Sequence, residues 1–327
     1  MKQLVVGVDI GRVETLFGLI DLSGKIYAKG SIPTKKYPDF DQYVEELYIQ
    51  IFSEIRILDD TAFEVVGIGV AAPDGNYYNG TIENAPNLAW KGVIPFVDKF
   101  KRFFPTIPVI ITNDANAAAI GEMMFGGAKG MKDFIVVTLN TGLGSGFVAN
   151  GHLVYGHDSL AGELGHVVVN HTSTGRMCGC GRRGCVETYA SVSGLKRTVF
   201  KLLADHICDC AFRDIAFNEL TADMITHAAL ENDCLAVEAY DYTSKMLGQA
   251  LAHAVTITSP EAIFLVGELA KAEKYIFEPT KKYMDIYILR NFKNKVKIVP
   301  SQLNANDAAI LGAAALIWQE LSENSIP

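Results

Sequence analysis

Phe134-Ile135-Val136-Val137-Thr138-Leu139 is an unbroken, mostly apolar run, and Asn140-Thr141-Gly142-Leu143-Gly144-Ser145-Gly146 follows it directly. A short run of this kind bounded by a glycine-rich turn reads as a buried strand. Phe147-Val148-Ala149 resumes the strand, and Asn150-Gly151 is a strong hairpin signal. The chain has already done this once. Leu4-Val5-Val6-Gly7-Val8 is apolar, Asp9-Ile10-Gly11 turns, and Leu16-Phe17-Gly18-Leu19-Ile20 resumes. Gly18 and Gly24 stand at nearly the same offsets as Gly146 and Gly151. The echo predicts two related α/β halves, each opening on a βββ unit.

The stretches around these openings fit that reading. A third strand is expected at 25–28, and 40–58 is apolar at helical spacing through Tyr43, Leu47, Ile51 and Ile55. Strands follow at 65–70 and 109–112, and Asn113-Asp114 caps a helix over 115–124. Residues 195–255 read as mostly helical, 262–266 as a short buried strand and 308–318 as an apolar helix. A length of 327 residues suits two domains of ordinary size. A formal charge of −8, from 37 acids against 29 Lys and Arg, argues against a general nucleic-acid or anionic-membrane binder. The apolar start is cut at Asp9, too early for a signal peptide, and the longest membrane candidate, 247–266, contains Pro260 and Glu261. A cytoplasmic, reducing location is therefore expected, where clustered cysteines bind metal more often than they pair.

Four motifs carry chemistry. The turns Asp9-Ile10-Gly11 and Thr141-Gly142-Leu143-Gly144-Ser145-Gly146 each follow a strand, so their N–H groups, with the Thr141 and Ser145 hydroxyls, suit a phosphate; the other reading is a tight hairpin. Neither is a Walker loop, because no Gly-Lys-Ser/Thr follows. Asp9 suits Mg²⁺ held through water, or else caps its turn. Asn113-Asp114-Ala115-Asn116 puts a carboxylate where a strand ends and a helix begins, as a general base or a plain cap. Ala161-Gly162-Glu163-Leu164-Gly165-His166 sets Glu and His at i, i+3. Twelve residues after His166 comes Cys178-Gly179-Cys180, then Cys185. Three thiolates and an imidazole make a closed tetrahedral zinc set, with a disulfide or free thiols as the alternatives. Cys208, Cys210 and Cys234 read as small buried hydrophobes, and Tyr77, Tyr78 and Trp90 as pocket or core aromatics.

Taken together and in order, these motifs resemble the ROK family (repressors, open reading frames and kinases) of the actin and hexokinase superfamily. Glu83-Asn84-Ala85-Pro86-Asn87-Leu88, Ser259-Pro260-Glu261 and Leu311-Gly312-Ala313-Ala314 extend the match over nearly the whole chain. The resemblance implies an α/β fold of two actin-like (ribonuclease H-like) lobes around a central cleft, with a small zinc knuckle at 166–187. One lobe would be 1–112, joined by the terminal helix 308–327, and the other 113–307. It implies an ATP- and Mg²⁺-dependent kinase of a hexose or N-acetylhexosamine. Asp114 would be the base on the sugar hydroxyl. Asn113, Glu163, His166 and Glu187 would hold the sugar, with Asn87 near by. Asp9, Gly11, Arg12, Thr141, Gly142, Gly144 and Gly267 would serve ATP and Mg²⁺. His166, Cys178, Cys180 and Cys185 would hold structural Zn²⁺, with the second His166 nitrogen turned to the sugar. A homodimer, with no nucleic acid and no membrane as partner, is also implied.

The chain departs from the family pattern in three places, all on the nucleotide side. Arg12-Val13-Glu14 replaces Gly-Thr-Lys or Gly-Thr-Asn, Asn140 stands for Gly, and Gly267-Glu268 for Gly-Gly. Glu14 would bring negative charge toward phosphate, and Arg12 would offset it. These departures motivate the alternative of a catalytically weak sugar-binding or regulatory protein with an eroded nucleotide site. The family's repressor branch needs a helix-turn-helix ahead of the first strand, and here that strand is expected from Leu4.

Overall fold

The structure is a computed structural model, and it describes residues 1–58, 62–207 and 210–323. Two compact units divide the chain: Met1–Gly130, Leu153–Ala161 and Gln302–Pro327 form one, and Met131–His152 and Gly162–Ser301 the other. In chain order the strands are β1 (Lys2–Ile10), β2 (Thr15–Ile20), β3 (Ile26–Ile32), β4 (Phe63–Ala72), β5 (Gly75–Asn76), β6 (Thr81–Glu83), β7 (Val93–Ile94) and β8 (Val109–Asn113). They continue as β9 (Phe134–Leu139), β10 (Leu143–Ala149), β11 (His152–Leu153), β12 (Ala262–Val266) and β13 (Lys297–Pro300). The helices are α1 (Phe40–Ile57), α2 (Phe96–Phe100), α3 (Asp114–Met124), α4 (Val192–Asp205), α5 (Ala222–Leu230), α6 (Cys234–Thr258), α7 (Lys274–Tyr287) and α8 (Ala308–Glu323).

The first unit is built on a five-stranded sheet of order β3-β2-β1-β4-β8. β1 and β2 are antiparallel, with Gly7 opposite Gly18, whereas β1, β4 and β8 run parallel. One side of this sheet packs on α1 and the aromatic cluster of Phe40, Tyr43, Trp90 and Phe96. Trp90 and Tyr43 are thus core, and the Trp90 indole N–H donates to Tyr37 O. The other side packs on α8 through Ile310, Ala314 and Ile317. A Cβ at Gly69 would stand 1.9 Å from Ala313 O, so glycine in β4 is what lets α8 lie directly on the sheet.

The second unit repeats the order as β11-β10-β9-β12-β13, with β9 and β10 antiparallel and β9, β12 and β13 parallel. Its core joins Ile135, Val137, Ile263 and Leu265 of the sheet to the buried face of α6, including Ala236, Tyr240, Thr243, Leu247, Leu251 and Ala254. The sequence echo is therefore a repeated sheet. The helical stretch expected at 195–255 is three helices with an irregular passage after α4. A lobe boundary at 112/113 would fall inside β8, before its last residue Asn113. The first compact unit runs on to Gly130, and α3 packs on α8, with Gly121 and Gly312 backbone to backbone. Among the described residues no helix is long and apolar enough to cross a membrane.

Candidate active site and metal centre

Three neighbouring parallel strands of the first unit deliver carboxylates to the same edge. Asp9 lies near the end of β1, opposite Ala71 of β4. Asp74 follows β4, whose Ala72 pairs with Asn113, and Asp114 follows β8. The carboxyl ends of parallel strands are where α/β proteins gather reactive groups. Asn113 caps α3 by accepting from Ala115 N–H (2.9 Å), and Asp114 Oδ1 shares that donor at 2.7 Å. Asp114 is nevertheless solvent-exposed as the first residue of α3. Desolvation raises its pKa, the Ala115 N–H works against that, and the Asp74 charge adds to it. Desolvation, with repulsion from Asp114, pushes the Asp9 carboxyl up to about 7. Among the described residues no hydrogen bond reaches the Asp9 carboxylate, so it does not cap its turn. A half-buried, unbonded carboxylate repelled by a second one is suited to a hydrated divalent cation.

Gly11 is held within its own turn. Its N–H donates to Glu14 O (3.0 Å) within the turn, so it is not aimed at a ligand. Arg12 and Val13 are exposed. The Glu14 carboxylate accepts from the Ser31 hydroxyl of β3, which ties that charge to the sheet edge. Asn87 is exposed on the loop between β6 and β7.

The second unit holds the remaining residues. The turn after β9 is closed by Asn140 N–H donating to Gly142 O (3.0 Å), and Thr141 is exposed. Gly144 N–H donates to Thr138 Oγ1 (3.2 Å), and Gly267 stands at the carboxyl end of β12. The Ser145 hydroxyl is not a phosphate donor: it is buried, donates to Gly162 O and accepts from Leu164 N–H. Glu187 reaches the same turn, its Oε2 accepting from Leu143 N–H (3.2 Å). A Cβ at Gly142 would come within 2.6 Å of that oxygen, which explains the glycine.

Glu163 precedes a 3-10 turn, Leu164–His166, rather than standing on an α-helix. His166 Nε2 lies 3.8 Å from Glu163 Oε2, while its Nδ1 lies 3.7 Å from Cys178 Sγ. The ligand atoms of His166, Cys178, Cys180 and Cys185 all lie within 4.8 Å of one another. A tetrahedral zinc with Zn–S of about 2.3 Å sets its sulfurs about 3.8 Å apart. The Cys180 and Cys185 sulfurs are 3.7 Å apart, which matches that edge and is far beyond the roughly 2 Å of a disulfide. Desolvation and the neighbouring thiols push Cys185 up to about 12. Cys180 is lowered, because hydrogen bonds from Arg182 outweigh its desolvation. Three thiolates this close need a cation to coexist, so the donor set fits zinc.

Outside these groups, Cys210 is half-buried and Cys234 is exposed at the start of α6, so Cys234 is not the buried hydrophobe expected; Cys208 lies outside the described residues. Two features drew no functional expectation from the sequence. One is Asp74, legible only as the residue after a strand. The other is the 153–161 segment, which joins the first unit through Asn76 Nδ2 on Asp158 O, Tyr77 N–H on Ser159 Oγ and Tyr77 stacked on Tyr155.

Comparison with known proteins agrees with the motif order. A glucokinase of Halalkalibacterium halodurans is 32% identical over 323 residues, 98% of this chain and 96% of its own. The crystal structure of a ROK family glucokinase from Streptomyces griseus, in complex with glucose and AMPPNP, matches with a TM-score of 0.78 at 28% identity, covering 97% of this chain and 99% of that one. The DNA-binding transcriptional dual regulator NagC of Escherichia coli is 26% identical over 95% of this chain, which spans 74% of the regulator. The model of the ROK family matches residues 5–320, across both repeated sheets and every motif described above, and the chain belongs to that family.

Proposed function

We propose that the chain phosphorylates a hexose or N-acetylhexosamine from ATP with Mg²⁺, using Asp114 as general base. It is a sugar kinase, as its glucokinase relatives are named. The observation that carries the reading is Asp114: an exposed carboxylate where β8 ends and α3 begins, on the same sheet edge as Asp9 with β4 between, and with its pKa raised by desolvation. A base with a pKa nearer the working pH takes a proton more effectively in the transition state. As the sugar oxygen attacks the γ-phosphorus, its proton passes to Asp114, the bond to the β-phosphate oxygen breaks and ADP leaves. Positioning and charge neutralisation supply most of the rest.

Asn113, Glu163, His166 and Glu187 would hold the sugar hydroxyls, with Asn87 near by. The Asn113 side-chain oxygen is engaged in capping, so its NH₂ is the group left for a ligand. Asp9 would hold Mg²⁺ through water, and the bound ion would neutralise phosphate charge. His166 Nδ1 and the three cysteines would hold structural Zn²⁺, which would fix the imidazole so that Nε2 faces a hydroxyl. Thr141, Gly142, Gly144, Gly267 and Arg12 would line the nucleotide. The second reading, a sugar binder with weak turnover, draws on the Gly11 N–H and the Ser145 hydroxyl being occupied within the protein.

One experiment separates the two. ADP release is followed with Mg-ATP across glucose, other hexoses and N-acetylhexosamines, beside thermal shift with each sugar alone. The kinase reading expects ADP release with at least one sugar that also stabilises the chain. Stabilisation by sugar with no ADP from any of them would overturn it in favour of the binder.

A further inference from the structure

Asn140 ties three parts of the second unit together. Its backbone N–H closes the turn after β9 on Gly142 O, and its backbone C=O accepts from Val192 N–H (2.8 Å) at the first residue of α4. Its side-chain Oδ1 accepts from Glu268 N–H (3.1 Å), which opens the 3-10 turn Glu268–Ala272 after β12. The donor is an N–H, so the acceptor must be the amide oxygen, which leaves the NH₂ outward. Gly267 has φ +101, and a Cβ there would stand 2.4 Å from Asn140 Oδ1. The Gly267–Glu268 turn thus approaches the Asn140 side chain as closely as glycine permits. Asn140 itself is not left-handed, so the backbone places no demand on its side chain. Among the three ties only the one to Glu268 depends on residue type. Two positions that depart from the family pattern, 140 and 268, are therefore one contact.

We propose that Asn140 is a positioning residue for the nucleotide, fixing the Gly267–Glu268 turn against the Asn140–Gly142 turn between β9 and β10 before ligand arrives. It rests on the reading of these turns as the nucleotide side. Preordering a loop lowers the cost of ordering it on binding. A contact made equally in ground state and transition state changes affinity and KM while leaving kcat alone.

The test uses the full chain. ADP with Mg²⁺ is titrated calorimetrically without sugar, and then KM for ATP, KM for sugar and kcat are measured. Losing one exposed neutral hydrogen bond predicts that Asn140→Ala weakens ADP and raises KM for ATP by about 3–10-fold. The variant kcat and sugar KM should stay within about twofold of the parent. Asn140→Asp keeps an acceptor for Glu268 N–H, and at about 0.5 M salt, where its added charge is screened, it should regain most of the lost affinity. Unchanged ADP binding in Asn140→Ala would overturn the inference. So would equal losses in sugar KM and kcat, or an Asp variant no better than Ala in salt. If the unsubstituted chain binds no ADP, the nucleotide reading falls and this inference with it.

Discussion

Asp9 shows what an unbonded, half-buried carboxylate costs a fold. Its carboxyl is raised from 3.8 to about 7 by desolvation and by Asp114. Between those values the folded chain binds the proton more tightly than the unfolded chain does, so stability falls as pH rises through the window. Asp9→Asn should therefore melt a few degrees above the parent at about pH 8, and the gap should close toward pH 4. Melting curves across that range check it, and a variant less stable than its parent at pH 8 would contradict it. Asp9 and Asp114 were legible because a carboxylate after an apolar run is a local pattern. The Gly11 N–H and the Ser145 hydroxyl are engaged within the protein, and that engagement was not legible. Whether an N–H or a hydroxyl stays free depends on Glu14 O and Gly162 O, and sequence spacing does not reveal such partners.

The knuckle was the most legible element, because His166, Cys178, Cys180 and Cys185 lie close in sequence and metal chemistry restricts their types. Purified chain should carry about one zinc per protein by elemental analysis, and a chelator should lower its melting temperature. Well under one equivalent would count against the assignment. The 153–161 segment was illegible, since Asn76 finds Asp158 82 residues away through a backbone carbonyl. Likewise, the apolar pattern of α8 says that it is buried but not on which sheet. The glycine opening at Gly69 becomes meaningful only once Ala313 is seen against it.

At the scale of the whole molecule, the repeat read from two glycine turns is a repeated sheet, with strand order and parallel pairing the same in both units. The central strands of both sheets were legible, because buried parallel strands are continuous apolar runs, whereas β13, α2, α7 and the short β5, β6 and β7 lack such a run and drew no expectation. The packing of α3 on α8, which keeps α3 in the first compact unit, joins segments far apart in sequence and so leaves no local pattern. If Asp114 takes the proton of the sugar hydroxyl, Asp114→Asn removes the acceptor while keeping the side chain's shape. With sugar-induced thermal stabilisation retained, ADP release from Mg-ATP should fall by about 10²–10⁴-fold. Turnover within a few-fold of the parent would contradict the account.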